Sequence, residues 1–270
     1  MLPDHATPLD SQRLEALHRD VLTWYAENAR DLPWRRSDAT AWGVLVSEVM
    51  LQQTPVVRVL TVWREWVARW PTAADLAAEP AGEAVRAWGR LGYPRRALRL
   101  HSAATAIVER HDGAVPAELH DLRALPGVGA YTAAAVAAFA FGRRHAVVDT
   151  NIRRVLTRVV DGRALPAPSL TAAETWLAER LLPADDDDGN EPPLSPRWNV
   201  AVMELGALVC TARSPRCDAC PVRQHCRWHA EGSPVHDGPP RRGQAWSGTD
   251  RQVRGRMMAI ARAASGPVTV

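Results

Sequence analysis

The chain has 270 residues, of which 33 are basic and 30 acidic, so its formal net charge is +3 with histidine neutral. Hydrophobic residues at 46% and charged residues at 23% exclude global disorder, and the length suits one large domain or two smaller ones. The longest apolar run, residues 133–141, is too short to span a bilayer, and no leader precedes it, so we expect a cytoplasmic protein without a membrane partner. Every basic residue is arginine, which excludes mechanisms that need a lysine Schiff base.

Apolar residues recur at helical spacing along most of the chain, and no stretch alternates with period two, so we predict an all-α fold. Ser11 is the expected N-cap of the first helix, and Thr54-Pro55 the expected start of the helix that follows it. The other expected helices are Trp42–Leu51, Thr72–Ala77, Glu83–Arg90, Arg95–Glu109, Ala130–Phe141, Thr150–Val160, Thr171–Leu182, Arg197–Val209 and Val253–Ala263.

The four cysteines all lie in the segment 210–226, with the spacing C-x6-C-x2-C-x5-C. They are Cys210, Cys217, Cys220 and Cys226. Four thiols in one short segment indicate a metal centre rather than a disulfide framework. Both a [4Fe-4S] cluster and structural zinc take four cysteine ligands. Zinc sites more often contain two close pairs of cysteines, and only one close pair is present here, so the spacing favours the iron–sulfur cluster.

A glycine-rich turn joins a short helix to the expected helix Ala130–Phe141. Gly127 and Gly129 allow a tight turn, and the helix N-terminus adds unpaired amide donors and the positive end of the helix dipole. We therefore expect Gly127, Val128 and Gly129 to bind an anion, which in a helix-hairpin-helix module is a DNA phosphate. An ordinary corner between two helices is the alternative.

Two carboxylates have unusual sequence surroundings. Glu48 lies inside a largely apolar helix, where a lone charge is costly to bury, so it either lines a cleft or pairs with an arginine. A carboxyl group in an apolar cleft has a raised pKa and can act as an acid. Asp149 follows an apolar segment and precedes a basic helix, so local rules make it a helix N-cap, with a role in chemistry as the alternative.

The composition changes near the end of the chain. From residue 233 onwards Gly, Pro and Arg dominate, and the segment 241–270 holds six arginines against one acid, Asp250. This tail is either an arm that follows a phosphate backbone or a disordered end.

Several of these segments together resemble one family, the MutY-type adenine DNA glycosylases of the helix-hairpin-helix, endonuclease III-like superfamily. The hairpin and the cysteine spacing are typical of the superfamily, and the strings S-E-V-M-L-Q-Q-T and M-E-L-G-A are typical of its adenine branch. The similarity runs from about Leu32 to about Trp228. Its segments are Ser47–Thr54, Gly89–Tyr93, Leu125–Gly129, Val148–Asn151, Met203–Ala207 and the cysteine spacing.

The resemblance implies two helical lobes with a DNA-binding cleft between them. One lobe is a six-helix barrel with the hairpin at 35–147, the other is an iron–sulfur cluster lobe built from 1–34 and 148–232, and the Arg-rich tail covers 233–270. The implied function is base excision repair, by hydrolysis of the N-glycosidic bond of adenine opposite 8-oxoguanine or guanine in double-stranded DNA. We expect a nucleoid-associated monomer that holds a [4Fe-4S] cluster.

The resemblance also implies a role for individual residues. Glu48 would protonate N7 of adenine, and Asp149 would stabilise the sugar cation. Tyr131 and Asn151 match positions that support Asp149. The positions around the flipped adenine are matched by Trp34, Arg35, Leu51 and Glu204. Gln53 and Tyr93 match the wedge residues, which fill the gap left by the flipped base and probe the opposite strand.

Some positions depart from the family pattern. Tyr131 stands where the bifunctional branch has a lysine, so we expect a monofunctional glycosylase. Thr150 and Pro94 replace residues common in the adenine branch. Few residues follow Cys226, so we expect the usual nudix-like C-terminal domain to be lacking. The alternatives are a glycosylase for thymine opposite guanine or for damaged pyrimidines, and a catalytically inactive cluster-bearing DNA-binding protein.

Overall fold

The computed structural model describes residues 9–184, 193–236, 238 and 248–264, and this part of the chain contains helices and no strand, which confirms the all-α prediction. The helices are, in chain order, α1 (Ser11–Asn28), α2 (Ala41–Leu51), α3 (Val56–Arg69), α4 (Ala73–Ala77), α5 (Ala81–Trp88), α6 (Arg95–His111), α7 (Leu119–Ala124), α8 (Ala130–Phe141), α9 (Thr150–Leu156), α10 (Ala172–Arg180), α11 (Leu194–Leu208), α12 (Arg227–Ala230) and α13 (Asp250–Ala263). Most of the segment 233–247 lies outside the described residues.

The expected helices start within three residues of the observed ones, and two of the expected N-caps are wrong. The N-cap of α1 is Asp10 rather than Ser11, because the Asp10 side chain accepts the Arg13 N–H at 2.8 Å. Thr54 does not cap α3, which has Pro55 at its N-cap position and no side-chain cap. The hydroxyl of Thr54 instead contacts the carbonyls of Gln52 and Leu91 and accepts a hydrogen bond from Arg96.

The described chain divides into two compact units. The first takes its described residues from 1–48 and 115–236, and the second takes them from 49–114 and 237–270. The boundary falls inside α2, between Glu48 and Val49. The lobe limits implied by the family resemblance divide the chain elsewhere and stay a prediction.

The first unit is built around α1, α9, α10 and α11. Its core joins apolar residues that lie on one face of each helix, among them Leu17, Ile152 and Leu205. Gly206 on α11 faces the start of α9, and a Cβ at Gly206 would lie 2.6 Å from Cβ of Asn151. A side chain at that position would therefore collide with α9, so glycine allows the two helices to pack closely.

The second unit is built around α3, α4, α5 and α6 and has a tryptophan-rich core. Trp66 packs edge-to-face against Trp70 and Trp88, with ring centroids 4.7 and 5.6 Å away. In the same unit, Arg86 donates a hydrogen bond to the carbonyl of Ala264, just after α13, at 2.7 Å. No helix in the described ranges is long and apolar enough to cross a membrane.

Candidate active site

Glu48 is held in an apolar setting on α2, where only 6% of the residue is exposed. The hydroxyl of Tyr131 donates a hydrogen bond to Oε2 of Glu48 at 3.1 Å. Burial is the main cause that raises the pKa of Glu48 to about 7; the charge of Asp149 adds to the rise, and the Tyr131 hydrogen bond and the charge of Arg35 partly offset it. A proton on this carboxyl is therefore available near neutral pH.

Asp149 is the N-cap of α9, as its sequence surroundings predict, and it also lies close enough to influence Glu48. Its Oδ1 accepts the Ile152 N–H at 2.7 Å, and its Oδ2 accepts the Asn151 side-chain amide at 2.8 Å. Burial raises the pKa of Asp149, and these two hydrogen bonds offset only part of the rise. Asp149 thus receives two N–H donors where Glu48 receives one phenol, so Asp149 is the better stabilised anion of the two.

Arg154 holds the side chain of Asn151 in place through a second set of hydrogen bonds. Nη2 of Arg154 donates to Oδ1 of Asn151 at 2.8 Å and to the carbonyl of Gly206 at 2.7 Å. Nε of Arg154 donates to the carbonyl of Cys210 at 2.7 Å. Sequence reasoning missed Arg154, although it lies one turn after Asn151 on the same helix face. Arg154 therefore connects Asn151, which holds Asp149, to Cys210, the first cysteine of the cysteine-rich segment.

Glu204 is fully buried and its two carboxylate oxygens are taken by arginines. Arg30 donates through Nε at 2.6 Å and Nη2 at 2.7 Å, and Arg35 donates through Nη1 at 2.9 Å. Burial alone would raise the pKa of Glu204, but the two arginines outweigh it and lower the pKa. The family resemblance predicts Glu204 beside the flipped base, and the structure shows that Glu204 binds Arg35. Sequence reasoning missed Arg30, although a buried acid requires a cation nearby.

The remaining residues expected around the base lie in different places. Trp34 and Arg35 belong to the short turn Pro33–Arg35 of the first unit, and Trp34 is buried. Leu51 ends α2 in the second unit and is half-buried. Gln53 and Tyr93, also in the second unit, are exposed and have positive φ angles of 56° and 49°. Such angles are costly for residues other than glycine, and strain of this kind clusters at functional sites.

The predicted hairpin forms between α7 and α8. Gly127 has φ +78°, which requires glycine, and Val128 is buried beneath the turn. Gly129 has an ordinary φ of −91°, and a Cβ there would meet no described atom within 4 Å, so the turn itself does not require this second glycine. No side chain caps α8, which leaves its first amides available to an anion.

The four cysteines line one pocket and are not joined by disulfides. Burial raises the pKa of Cys220 to about 12 and also raises the pKa of Cys217 and Cys226, so these thiols lose their protons readily only to a metal. Nη1 of Arg158 lies 3.2 Å from Sγ of Cys210, which suits an anionic metal–thiolate centre.

Within the described ranges, no three His, Cys, Asp or Glu side chains form a ready site for one metal ion. This does not conflict with an iron–sulfur cluster, because each thiolate then binds its own iron.

Comparison with known proteins gives two family matches. The family described as HhH-GPD superfamily base excision DNA repair protein matches residues 46–179. The family described as iron-sulfur binding domain of endonuclease III matches residues 210–226, the cysteine segment. The cysteines therefore form an iron–sulfur-binding domain.

Curated relatives and solved structures agree with these matches. The adenine DNA glycosylase of Mycobacterium tuberculosis is 52% identical over 93% of this chain and 80% of its own length. The thymine-DNA glycosylase of Aeropyrum pernix is 33% identical over 82% of this chain and 97% of its own length. The solved structure of a thermostable thymine-DNA glycosylase superposes with a TM-score of 0.70 at 26% identity, covering 82% of this chain and 98% of its own.

Proposed function

Because the chain belongs to the MutY-type adenine DNA glycosylases, we propose that it hydrolyses the N-glycosidic bond of adenine opposite 8-oxoguanine or guanine in double-stranded DNA. The observation that carries this proposal is the buried Glu48, whose pKa is raised to about 7 beside the hydrogen-bonded anion Asp149. Adenine is a poor leaving group as an anion, so its excision needs a proton donor of this kind. A duplex substrate supports the proposed association with the nucleoid.

The first step is protonation of the base. Adenine must leave the helix to reach Glu48, because a stacked base is inaccessible, and extrusion costs a few kcal/mol. Protonated Glu48 donates to N7 while the bond between the base and the sugar lengthens. The Tyr131 hydroxyl holds Oε2 of Glu48, so the proton is presented from the other carboxyl oxygen.

The second step is stabilisation of the sugar. Loss of the base leaves an oxocarbenium-like cation, as in other glycoside cleavage. Asp149 supplies the opposing charge, and its orientation is fixed by Asn151 and by the first amides of α9. Water then adds to the sugar, with Asp149 assisting, and completes hydrolysis. The two carboxyls take opposite protonation states because their environments differ.

Other residues bind the DNA and the base. The amides after Gly127, Val128 and Gly129 bind a backbone phosphate, and Gln53 and Tyr93 fill the space that the extruded base vacates. Trp34 and Arg35 contact the extruded adenine, with Glu204 acting through Arg35. Leu51 is assigned to the same base by the family resemblance alone.

The cofactor proposed for the iron–sulfur domain is a [4Fe-4S] cluster held by Cys210, Cys217, Cys220 and Cys226. When bound, it would crosslink the segment 210–226, and the hydrolysis would be left to protein side chains. The guanidinium of Arg158 beside Cys210 balances part of the thiolate charge. Iron and acid-labile sulfide in equal amounts, four of each per chain, are expected from chemical analysis.

A thymine glycosylase is the second candidate, because a thymine-DNA glycosylase is 33% identical over 82% of this chain. Glu48 separates the two candidates. Thymine has no N7, so its excision does not need an acid at this position, and the buried Glu48 favours adenine.

The test is single-turnover base release from duplexes that hold A opposite 8-oxoguanine, G, C or T, and T opposite G. We expect adenine release from the first duplex, less from the second and almost none from A opposite T. Thymine release exceeding adenine release would overturn the assignment. Because the chain has no lysine, the DNA strand should stay intact until alkali or heat is applied. Sedimentation with and without DNA tests the proposed monomer.

A further inference from the structure

The second unit contains a buried arginine, Arg96 on α6, that no part of the proposed mechanism uses. Only 7% of this residue is exposed. Its hydrogen-bond partners are neutral oxygens, and its Nε is buried without a hydrogen-bond partner among the described residues. Burial lowers the pKa of Arg96. Such a charge is costly compared with an apolar side chain of similar size, so packing alone does not account for it.

The contacts of Arg96 join two separate segments of the chain. Nη1 donates to the carbonyls of Val49 at 3.0 Å and Met50 at 3.1 Å, near the C-terminus of α2, and also to the carbonyl of Gln52. A cation is favoured there because the last carbonyls of a helix are unpaired and carry the negative end of its dipole.

The other half of the guanidinium reaches the second segment. Nη2 donates to the hydroxyl of Thr54 at 3.0 Å and to the carbonyl of Gly92 at 3.2 Å. The guanidinium carbon also lies 5.3 Å from the ring centroid of Trp88 and 5.4 Å from that of Tyr93. One planar group thus bonds to the carbonyl of Gln52 before Gln53, to the side-chain hydroxyl of Thr54 after it, and to the carbonyl of Gly92 immediately before Tyr93.

These two segments share a further property, which is backbone strain at an exposed residue. Gln53 (φ +56°) and Tyr93 (φ +49°) both have the left-handed conformation. That conformation costs of order 1–3 kcal/mol for a residue other than glycine and persists only where its surroundings enforce it. Arg96 bonds to the residue before each of them, Gln52 and Gly92, so it supplies that enforcement.

We propose that Arg96 is a positioning residue that fixes Gln53 and Tyr93 together as one rigid wedge for the DNA duplex. The inference rests on the proposed function, which gives the two residues their place in the gap left by the extruded base. Arg96 touches neither the base nor the reacting atoms. It acts by removing the independent movement of two loops before DNA binds, so that less ordering is required on binding.

The test compares four variants with the wild type. Arg96→Met keeps the apolar stem and removes the donors, and Arg96→Lys keeps the charge without the planar fork. Thr54→Val removes one acceptor of Arg96 and leaves the arginine in place. The control is Arg99→Met, which removes an arginine from the exposed face of the same helix.

Two measurements are made on each variant. Circular dichroism first gives the fraction of the protein that is folded, and the results are expressed per folded protein. The first measurement is the single-turnover rate on A opposite 8-oxoguanine, and the second is the fluorescence of 2-aminopurine placed next to the target, which rises as the base is extruded. We expect Arg96→Met to lower both, the rate by roughly 10- to 100-fold, because misplacement by about 1 Å can cost that much. Arg96→Lys should recover little, Thr54→Val should show a smaller loss, and Arg99→Met should match the wild type.

The pH profile separates positioning from a general collapse of the protein. The high-pH limb of the rate profile reflects the titration of Glu48. Because Glu48 is not among the contacts of Arg96, the midpoint of this limb should be the same in Arg96→Met as in the wild type. A shifted midpoint, or a wild-type rate and fluorescence rise in Arg96→Met, overturns the inference. A wild type that extrudes the base without releasing adenine overturns the proposed function alone, and one that does neither overturns both.

Discussion

Two buried carboxylates in the first unit, Glu48 and Glu204, have opposite electrostatic settings. Each is almost completely removed from solvent. Glu48 receives one phenol hydrogen bond, and burial raises its pKa to about 7. Glu204 receives charged donors from Arg30 and Arg35, and its pKa is lowered. Burial is common to both, so the difference must come from the partners.

The contrast separates a reactive acid from a structural anion. A carboxyl without a cation on its oxygens keeps its proton into the neutral range, where it can give that proton away. A carboxylate bound by two guanidinium groups is a permanent anion and holds them in place. The arginine that Glu204 binds, Arg35, in turn lowers the pKa of Glu48, so the structural anion also limits how far the reactive acid is shifted.

The largest expected effect is on catalysis at Glu48. Glu48→Gln removes the proton donor without changing the size of the side chain, so we expect the single-turnover rate of adenine release to fall by about 10²- to 10⁴-fold. Duplex affinity, measured by fluorescence anisotropy, should stay close to that of the wild type. Near-normal release by this variant would contradict the role of Glu48 as the acid.

The next effect is on stability at Glu204. Glu204→Gln leaves Arg30 and Arg35 partly buried without their counter-charge, and breaking a buried pair in this way typically costs about 3–5 kcal/mol. We expect the free energy of unfolding in urea at pH 7 to fall accordingly. The matched control is Glu118→Gln, which removes an exposed pair with Arg143 and should change stability little. Equal stability of the two variants would count against the contrast.

Substitution of Glu48 should change the free energy of unfolding in the opposite direction to substitution of Glu204. Because its folded pKa, about 7, lies above its ordinary value of 4.5, the folded state binds more protons and loses stability as pH rises between those values. Glu48→Gln removes that penalty, so at pH 8 we expect it to be more stable than the wild type by about 3 kcal/mol. Urea unfolding at pH 4 should show almost no difference. If Glu48→Gln is less stable than the wild type at pH 8, the ionised carboxylate of Glu48 does not destabilise the folded protein.

The smallest effect concerns the partner of Glu48. The Tyr131 hydrogen bond lowers the pKa of Glu48, so Tyr131→Phe should move the high-pH limb of the rate profile upwards. Relative to its own maximum, the variant should therefore be roughly two- to tenfold more active at pH 8 than the wild type is. The measurement is the single-turnover rate from pH 5 to 9. A limb that moves downwards would show that the phenol does not stabilise the charged carboxylate.

The sequence was sufficient for the fold class and for much of the candidate site, because those features leave local signals. Helical periodicity predicted the all-α fold, and the limits of α8 agree with the expected Ala130–Phe141. The apolar neighbours of Glu48 predicted its raised pKa, and the basic helix after Asp149 predicted its N-cap. The helix limits and the N-cap depend on residues that are near in sequence, and for Glu48 the apolar neighbours indicated the burial that is the main cause of its raised pKa.

Other features depend on residues far apart in the chain and left no local signal. Arg30 and Glu204 are separated by 174 positions, so the residues around either one do not predict that the two form an ion pair. The role of Glu204 behind Arg35 likewise depends on how α11 packs against α1. Arg96 resembles any other arginine of a basic helix until its contacts near the end of α2 are known. The specific roles assigned to individual site residues stay predictions until base release is measured.

Gly206 touches no base, sugar or phosphate in the proposed mechanism, yet it sets how closely the start of α9 approaches α11. Adding one methyl group there would push Asn151, and with it Asp149, away from the extruded nucleotide. A genetic screen for lost repair should therefore recover changes at this glycine as readily as changes at the reactive carboxyls.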